Sequence, residues 1–297
     1  MIVLPDAVAA MASRGPGWQS WVDGLPSLVA TQLAAWSLSP DGAAAHGFCS
    51  IVLPVRTEGG ATAALKVAFP DDESEHEHLA LRRWSGDGAV RLLAADPHHR
   101  AMLLERAHAR NLNELWDIEA CKVVAGLYGR IHVAALPQLR PLTGFIRNWT
   151  AGLSALPRRA AIPRRLVEQA ISLGTDLAED PASTGTLIHG DLHYENVLAA
   201  DREPWLVIDP KPMNGDPHYE IAPMLWNRWD ELAGYIREGI RRRFHTLVDA
   251  AGLDADRARA WVTVRMMHNA MWELTEHATP DPHWLTTCVA IAKAVQD

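Results

Sequence analysis

Lysine is scarce in this chain. Of 28 cationic side chains only four are lysine, at positions 66, 122, 211 and 293, and the rest are arginine. Against 36 Asp and Glu this leaves a formal net charge of −8 and a pI near 5.9. Such a balance offers no basic face to neutralise phosphates, so nucleic acid is not expected as a partner. It suits a cationic small molecule instead. Cysteine is scarce as well: Cys49, Cys121 and Cys288 stand far apart with no C-x-x-C pair. That excludes a zinc ribbon or a thioredoxin-type motif and predicts a reducing compartment without a disulfide framework. No apolar run reaches the ~18 residues of a membrane span. The opening stretch, Met1 to Gly15, lacks a basic n-region and is interrupted by Pro5 and Asp6. It is not read as a secretory signal, and a cytoplasmic location is expected. No lysine follows a glycine, so there is no Walker A loop. No G-x-S-x-G occurs, which argues against an α/β-hydrolase.

What is present is a folding chain. Of 297 residues 48% are hydrophobic, too many for a disordered protein, and its 20 Gly and 19 Pro are scattered without period. The length allows one large domain or two smaller ones of ~100–200 residues. Residues 5–13 and 17–36 have helical spacing, broken at Gly24-Leu25-Pro26. Residues 47–69 hold two β-rich runs around Glu58-Gly59-Gly60, which predicts a hairpin. An acidic, His-containing stretch, Asp71 to His78, leads into a helix ending near Trp84. Two strand-like runs follow, Ala89–Leu93 and Ala101–Leu104, split by Asp96-Pro97. Beyond Glu105 the chain reads as helices over Leu112–Ala134, Leu142–Leu156 and Pro163–Glu179. Short apolar runs at Thr186–His189 and Leu206–Asp209 flank a polar loop, and helices resume near Ala222. Strands followed by helices predict an α+β fold in two lobes, with a ligand held between them.

The polar loop carries the chemistry. LIHGDLHYENVL, residues 187–198, and WLVIDPKP, residues 205–212, place Asp191, Asn196 and Asp209 around two short strands. Carboxylate and amide oxygens are what Mg²⁺ takes, together with substrate phosphates, and a further carboxylate off the metal can orient a nucleophile. His189-Gly190-Asp191, four residues, then Asn196 and a later Asp209 follow the H-R-D-x-x-x-x-N plus Asp order of protein kinases. A nucleotide anchor is available at Lys66. By period two it shares a strand face with Ala64 and Ala68, opposite Leu65, Val67 and Phe69. Its expected partner is Glu77, which heads a helical stripe with Ala80, Leu81 and Trp84. Unpaired there, a buried carboxylate would cost several kcal/mol by the usual rough figure, about as much as any buried ion.

Each residue has a plainer reading on its own. Lys66 reads as an edge-strand residue, Glu77 as surface, Asp191 and Asn196 as turn formers, and Asp209 as a strand end. The set in kinase order is what makes the site. Asp71–His78 is not an H-E-x-x-H motif and reads as a solvated helix start. His189 and His193 lack a third metal ligand at a recognised spacing. The tryptophans, notably Trp226, Trp229, Trp272 and Trp284, read as core. Asp230, Glu231, Glu273 and Glu276 read as solvated helix faces.

At this point the residues resemble a known family, the aminoglycoside phosphotransferase-like kinases, in the streptomycin 6-kinase and hydroxyurea kinase branch. The resemblance rests on Gly47–Ser50, Ala64-Leu65-Lys66, His76-Glu77, Gly88–Leu93, Leu103–Arg106, His189–Leu198 and Val207–Glu220. It implies a protein-kinase-like bilobal fold with a small β-rich N-lobe, residues 1–107, and a larger helical C-lobe, residues 108–297. It implies ATP and Mg²⁺. Asp191 would be the catalytic carboxylate for the acceptor hydroxyl, and Asn196 and Asp209 would hold the metal. Lys66 would touch the α/β-phosphates, held by Glu77. Glu105–Ala107 would be the hinge whose backbone pairs with adenine. Ser50 and its neighbours would form the loop over the phosphates. Two departures from protein kinases stand out: there is no G-x-G-x-x-G, and Asp209-Pro210 replaces Asp-Phe-Gly. The expected acceptor is a streptomycin-like aminoglycoside, with Asp230 or Glu231 in an acidic acceptor site. The alternatives are a kinase of hydroxyurea, a sugar or another hydroxylated metabolite, a non-catalytic nucleotide-binding pseudokinase, and a metal-dependent hydrolase on His189, Asp191 and His193.

Overall fold

Alternating burial along residues 50–68 sets the architecture of the first part of the chain. In this computed structural model, which describes residues 3–296, the chain begins with α1 (Asp6–Ala10) and α2 (Pro16–Ala35). There follow β1 (Ser39–Pro40), β2 (Ala45–His46), β3 (Ser50–Arg56), β4 (Thr62–Ala68), α3 (Glu77–Trp84), β5 (Leu92–Asp96) and β6 (Ala101–Glu105). Met1, Ile2 and Asp297, the outermost residues of the two expected lobes, lie outside the described residues. The strands form an antiparallel sheet in the order β1-β3-β4-β6-β5, with β2 also on β3. Ile51, Leu53 and Val55 of β3 and Leu65 and Val67 of β4 are buried together with Val8, Leu25 and Val29 of the two N-terminal helices. The opposite face of β4 holds Lys66, paired in register with Val52 and Met102.

The second part contains α4 (Asp117–Ile131), β7 (Val133–Ala134), α5 (Leu142–Ala155), α6 (Arg164–Glu179), β8 (Thr186–Ile188) and β9 (Val197–Leu198). After β10 (Leu206–Val207) come β11 (Met213–Gly215), α7 (Ala222–Trp226), α8 (Ile236–Ala251), α9 (Ala255–Glu276) and α10 (Pro282–Ala294). β8 is the middle strand between β7 and β11. It delivers Ile188 to a core with Leu142, Ile146, Tyr219, Trp261 and Val264. Two compact units result. One runs to Ala109 and takes in Ala199–Lys211; the other is Arg110–Leu198 with the residues from Pro212 onward.

Three local expectations of secondary structure change. α2 runs unbroken through Pro26: Val22, Leu25 and Val29 all bury on the sheet, and that packing outweighs the ~3 kcal/mol penalty of an interior proline. The strand expected at Ala89–Leu93 forms at Leu92–Asp96, because Ala89 instead bridges Val207 in parallel. The helix expected over Leu112–Ala134 is a short turn at Leu112–Glu114, capped by the Asn111 side chain, and then α4. Trp116, extended at ψ 141, interrupts them. Two side chains also move: Glu273 is buried, accepting the Asp281 amide at 2.6 Å, and Trp272 is 52% exposed rather than core.

Candidate active site

Lys66 is driven into the first unit by its strand, and its charge then has to be met there. Nζ donates to both oxygens of Glu77, at 2.8 and 2.7 Å, and to Asp209. Glu77 comes from the first turn of α3, whose buried stripe is Glu77, Ala80, Leu81 and Trp84. Asp209 follows β10, which is tied to residues 88–90 by Val90 N to Val207 O (3.0 Å) and Val207 N to Gly88 O (2.9 Å). Asp209 has φ 54, a left-handed conformation uncommon for any residue but glycine and further disfavoured before Pro210. Lys66 and Glu77 are 5% and 1% exposed. Burial by itself disfavours the Lys66 ammonium, but the Asp209 and Glu77 carboxylates outweigh it and hold its pKa above the ordinary lysine value. Burial pushes the Glu77 carboxyl up to about 7, against the pull of Lys66. Two carboxylates share one ammonium, so the trio is anionic once Glu77 is ionised.

The remaining nucleotide candidates lie in the same unit. Ser50 is buried at the start of β3, after a tight turn in which Gly47 N donates to Ser50 O at 3.0 Å. Glu105 ends β6. Its carboxylate is occupied: it takes Arg202 Nε and Nη2 at 2.9 and 3.0 Å and the Arg91 amide at 3.0 Å. Any contact of Glu105 with a base is therefore left to its backbone carbonyl, because its amide donates to Arg91 O at 2.8 Å. Ala107 lies past the end of the strand, where its peptide groups have no backbone partner among the described residues.

The second unit holds the loop after β8. Asn196 is buried, and its Nδ2 donates to Asp191 O at 2.8 Å, which leaves its amide oxygen as the outward acceptor. His189 is fully buried, with Nδ1 accepting the Asp191 amide at 3.1 Å. His193 caps the next turn by accepting from Glu195 N. Among the described residues no three His, Cys, Asp or Glu side chains are grouped to share a metal. Asn196 and Asp209 each offer an oxygen of the kind Mg²⁺ takes, and Asp209 is 41% exposed at its side chain. Each is a hard donor of the kind a cation takes when phosphate and water complete its shell.

Of three side chains that the sequence reading left unassigned, Glu220 and Arg265 hold this loop and Asp216 ties the segment after β11 to α9. The fully buried Glu220 accepts the amides of His189 (2.9 Å) and Gly190 (2.7 Å). Burial pushes its carboxyl up, but hydrogen bonding to His132 and the amides prevails and its pKa is lowered. Arg265 of α9 donates to Gly190 O at 2.8 Å and Tyr219 O at 3.0 Å. Asp216 is buried and takes Arg257 Nε at 2.6 Å and Trp261 Nε1 at 2.7 Å. The signal for Glu220 was in the sequence: a lone acid abutting the apolar run Ile221–Leu225. Of the acceptor candidates, Glu231 is neutralised by Arg228 at 2.8 and 2.6 Å. Asp230 is exposed.

Comparison with known proteins gives this arrangement a context. A model of the aminoglycoside/hydroxyurea antibiotic resistance kinase family matches residues 35–276. The chain is 39% identical to a streptomycin 6-kinase of Streptomyces glaucescens over 98% of this chain and 97% of that protein. It is 40% identical to a hydroxyurea phosphotransferase of Kitasatospora aureofaciens over 88% of this chain and 77% of that protein. Among solved structures, a thermostable mutant of aminoglycoside phosphotransferase APH(4)-Ia in a ternary complex with AMP-PNP and hygromycin B superposes with TM-score 0.59 at 18% identity. The match covers 91% of this chain and 98% of that one, a likeness of fold.

Proposed function

The chain belongs to the aminoglycoside/hydroxyurea antibiotic resistance kinase family, and from that premise we propose that it transfers the γ-phosphate of ATP to a hydroxyl of a streptomycin-type aminoglycoside. The full-length likeness to a streptomycin 6-kinase carries the choice of acceptor. The Lys66–Glu77–Asp209 trio supports the choice of donor. Lys66 binds the α/β-phosphates, and Glu77 keeps the ammonium in place whether its free side meets Asp209 or a phosphate oxygen. The backbone of Glu105–Ala107 receives adenine, and the loop ending at Ser50 covers the phosphates. Asp191 orients the acceptor hydroxyl and takes its proton as the phosphorus–oxygen bond forms. Asn196 and Asp209 hold Mg²⁺, which when bound supplies charge neutralisation on the phosphates. Asp230 contributes to an anionic acceptor site; Glu231 contributes less, because Arg228 already balances it.

An acceptor panel tests this. With ATP and Mg²⁺, streptomycin is expected to drive ADP release, and a neutral sugar is not. Hydroxyurea is the second acceptor to include, on the strength of the related hydroxyurea phosphotransferase. Turnover with hydroxyurea and none with streptomycin would replace the acceptor and keep the kinase. Nucleotide binding without turnover on any acceptor would make the protein a pseudokinase. In all three cases no helix among the described residues is long and apolar enough to cross a membrane.

A further inference from the structure

The loop Gly47-Phe48-Cys49, which enters β3 at Ser50, has no glycine-rich phosphate grip, yet it is held firmly from outside. Phe48 is 76% exposed, so burial of its ring does not hold it. Arg14, in the turn between α1 and α2, does: Nη1 donates to Phe48 O at 2.6 Å. Its guanidinium lies 4.2 Å from the Phe48 ring centroid and 4.8 Å from that of Trp18. Trp18 is itself fixed, stacked on Phe69 at 3.7 Å with planes 5° apart, and Trp21 meets both rings edge-on. Phe69 closes the circuit by donating its amide to Cys49 O at 2.7 Å. The loop is therefore tied at two successive carbonyls, one to a cation–aromatic sandwich and one to the end of β4. It is also tight: a Cβ at Gly47 would lie 2.8 Å from Ser50 Oγ. Its end lies within the electrostatic reach of the metal-binding candidate. The Cys49 thiol is pushed up to about 11, by burial first, with Asp71 and Asp209 adding and Lys211 and Arg14 opposing.

We propose that Arg14 is a positioning residue of the nucleotide site, acting through Phe48 to hold the Gly47–Ser50 loop over the phosphates in place of the missing glycine motif. This rests on the reading that the loop covers the phosphates. A planar guanidinium is required, because it must hydrogen-bond a carbonyl while stacking between two rings, and a lysine does only part of this. The N-terminal helices thus reach the chemistry without touching substrate.

The test is titration of the full-length protein with Mg²⁺–AMP-PNP and, separately, with AMP, which lacks the β- and γ-positions. Arg14 is exposed, so its variants are expected to fold with an unchanged Tm. Arg14→Ala is expected to weaken AMP-PNP about fivefold, by the scale of an exposed cation–aromatic contact and a charged hydrogen bond, and to leave AMP unchanged. Arg14→Lys should recover part of the loss. Phe48→Ala should weaken AMP-PNP similarly, and the double variant should be no worse than Arg14→Ala. Equal weakening of AMP and AMP-PNP, a lowered Tm, or additive losses in the double variant overturns the proposal. Unchanged AMP-PNP affinity in Arg14→Ala, while Lys66→Ala weakens it, overturns the role of Arg14 and leaves the nucleotide site standing. If neither variant affects AMP-PNP, the nucleotide reading itself fails and takes this proposal with it.

Discussion

His268 is buried in the middle of α9 with both ring nitrogens unpartnered among the described residues, and a tilted Trp149 ring 5.3 Å away. Burial lowers its pKa from 6.5 to about 3. Between those values the unfolded chain binds a proton that the native state does not, so stability is intact above pH ~6.5 and falls as the pH drops through that window. At pH 5 the loss is about 2 kcal/mol. His268→Leu is expected to remove this slope, seen as a smaller difference between urea unfolding at pH 5 and pH 7.5 than in the parent. Asp191→Asn is expected to lower kcat by roughly 10²-fold or more with MgADP affinity retained; activity near that of the parent would remove Asp191 from its role. Asp230→Asn should raise the KM for streptomycin by about twofold to fivefold, the range of an exposed ion pair, and Glu231→Gln by less. Kinetics with both variants checks the order. At this scale the sequence was informative where chemistry forces a residue type. Lys66 was visible as a lysine on a small-residue strand face, and Glu77 as an acid on a buried helical stripe. Arg265 and Asp216 were not, because one arginine among many, or one acid in a polar stretch, carries no mark of burial until helices pack around it.

The loop after β8 is a case where elements rather than residues decide. Two backbone amides there, of His189 and Gly190, spend their hydrogen bonds on one carboxylate, and Gly190 O is taken from the other side by α9. Glu220→Gln removes the charge and replaces one acceptor oxygen with a donor. It is expected to lower kcat by about tenfold through a loosened loop and to destabilise the protein by about 2 kcal/mol, the scale of buried charged hydrogen bonds. A tenfold fall in kcat at unchanged MgADP affinity, together with a fall in Tm, checks both parts. Element legibility followed packing. The β3–β4 hairpin was readable because alternation and Gly59-Gly60 agreed. α2 runs on where the apolar spacing looks broken at Gly24-Leu25-Pro26, because Val22, Leu25 and Val29 still form one buried stripe. The start of α4 differs from the expectation because the apolar spacing runs on through Leu112, whereas the extended Leu115 and Trp116 end that first turn.

For the molecule as a whole, charge is the property that reaches furthest. A net charge of −8 attracts a cationic acceptor from beyond contact distance, and salt screens that attraction over a length of about 10 Å at 0.1 M. The KM for streptomycin is expected to rise severalfold between 20 and 200 mM KCl in steady-state assays, whereas uncharged hydroxyurea should show no such trend. The order of strands before helices was legible from composition along the chain. The return of Ala199–Lys211 to the first unit was not, since it depends on β10 finding residues 88–90 far away in sequence. That return has a consequence for how this protein can be divided. The backbone passes from one unit to the other three times, near 109, 198 and 211. A fragment ending at Ala109 would hold Lys66 and Glu77 but leave behind Asp209, Arg202 and the bridge to Val207. The first unit is therefore not a contiguous cassette. Recombination at a single breakpoint cannot transplant it, and a donor for a chimera must supply the two stretches as a matched pair.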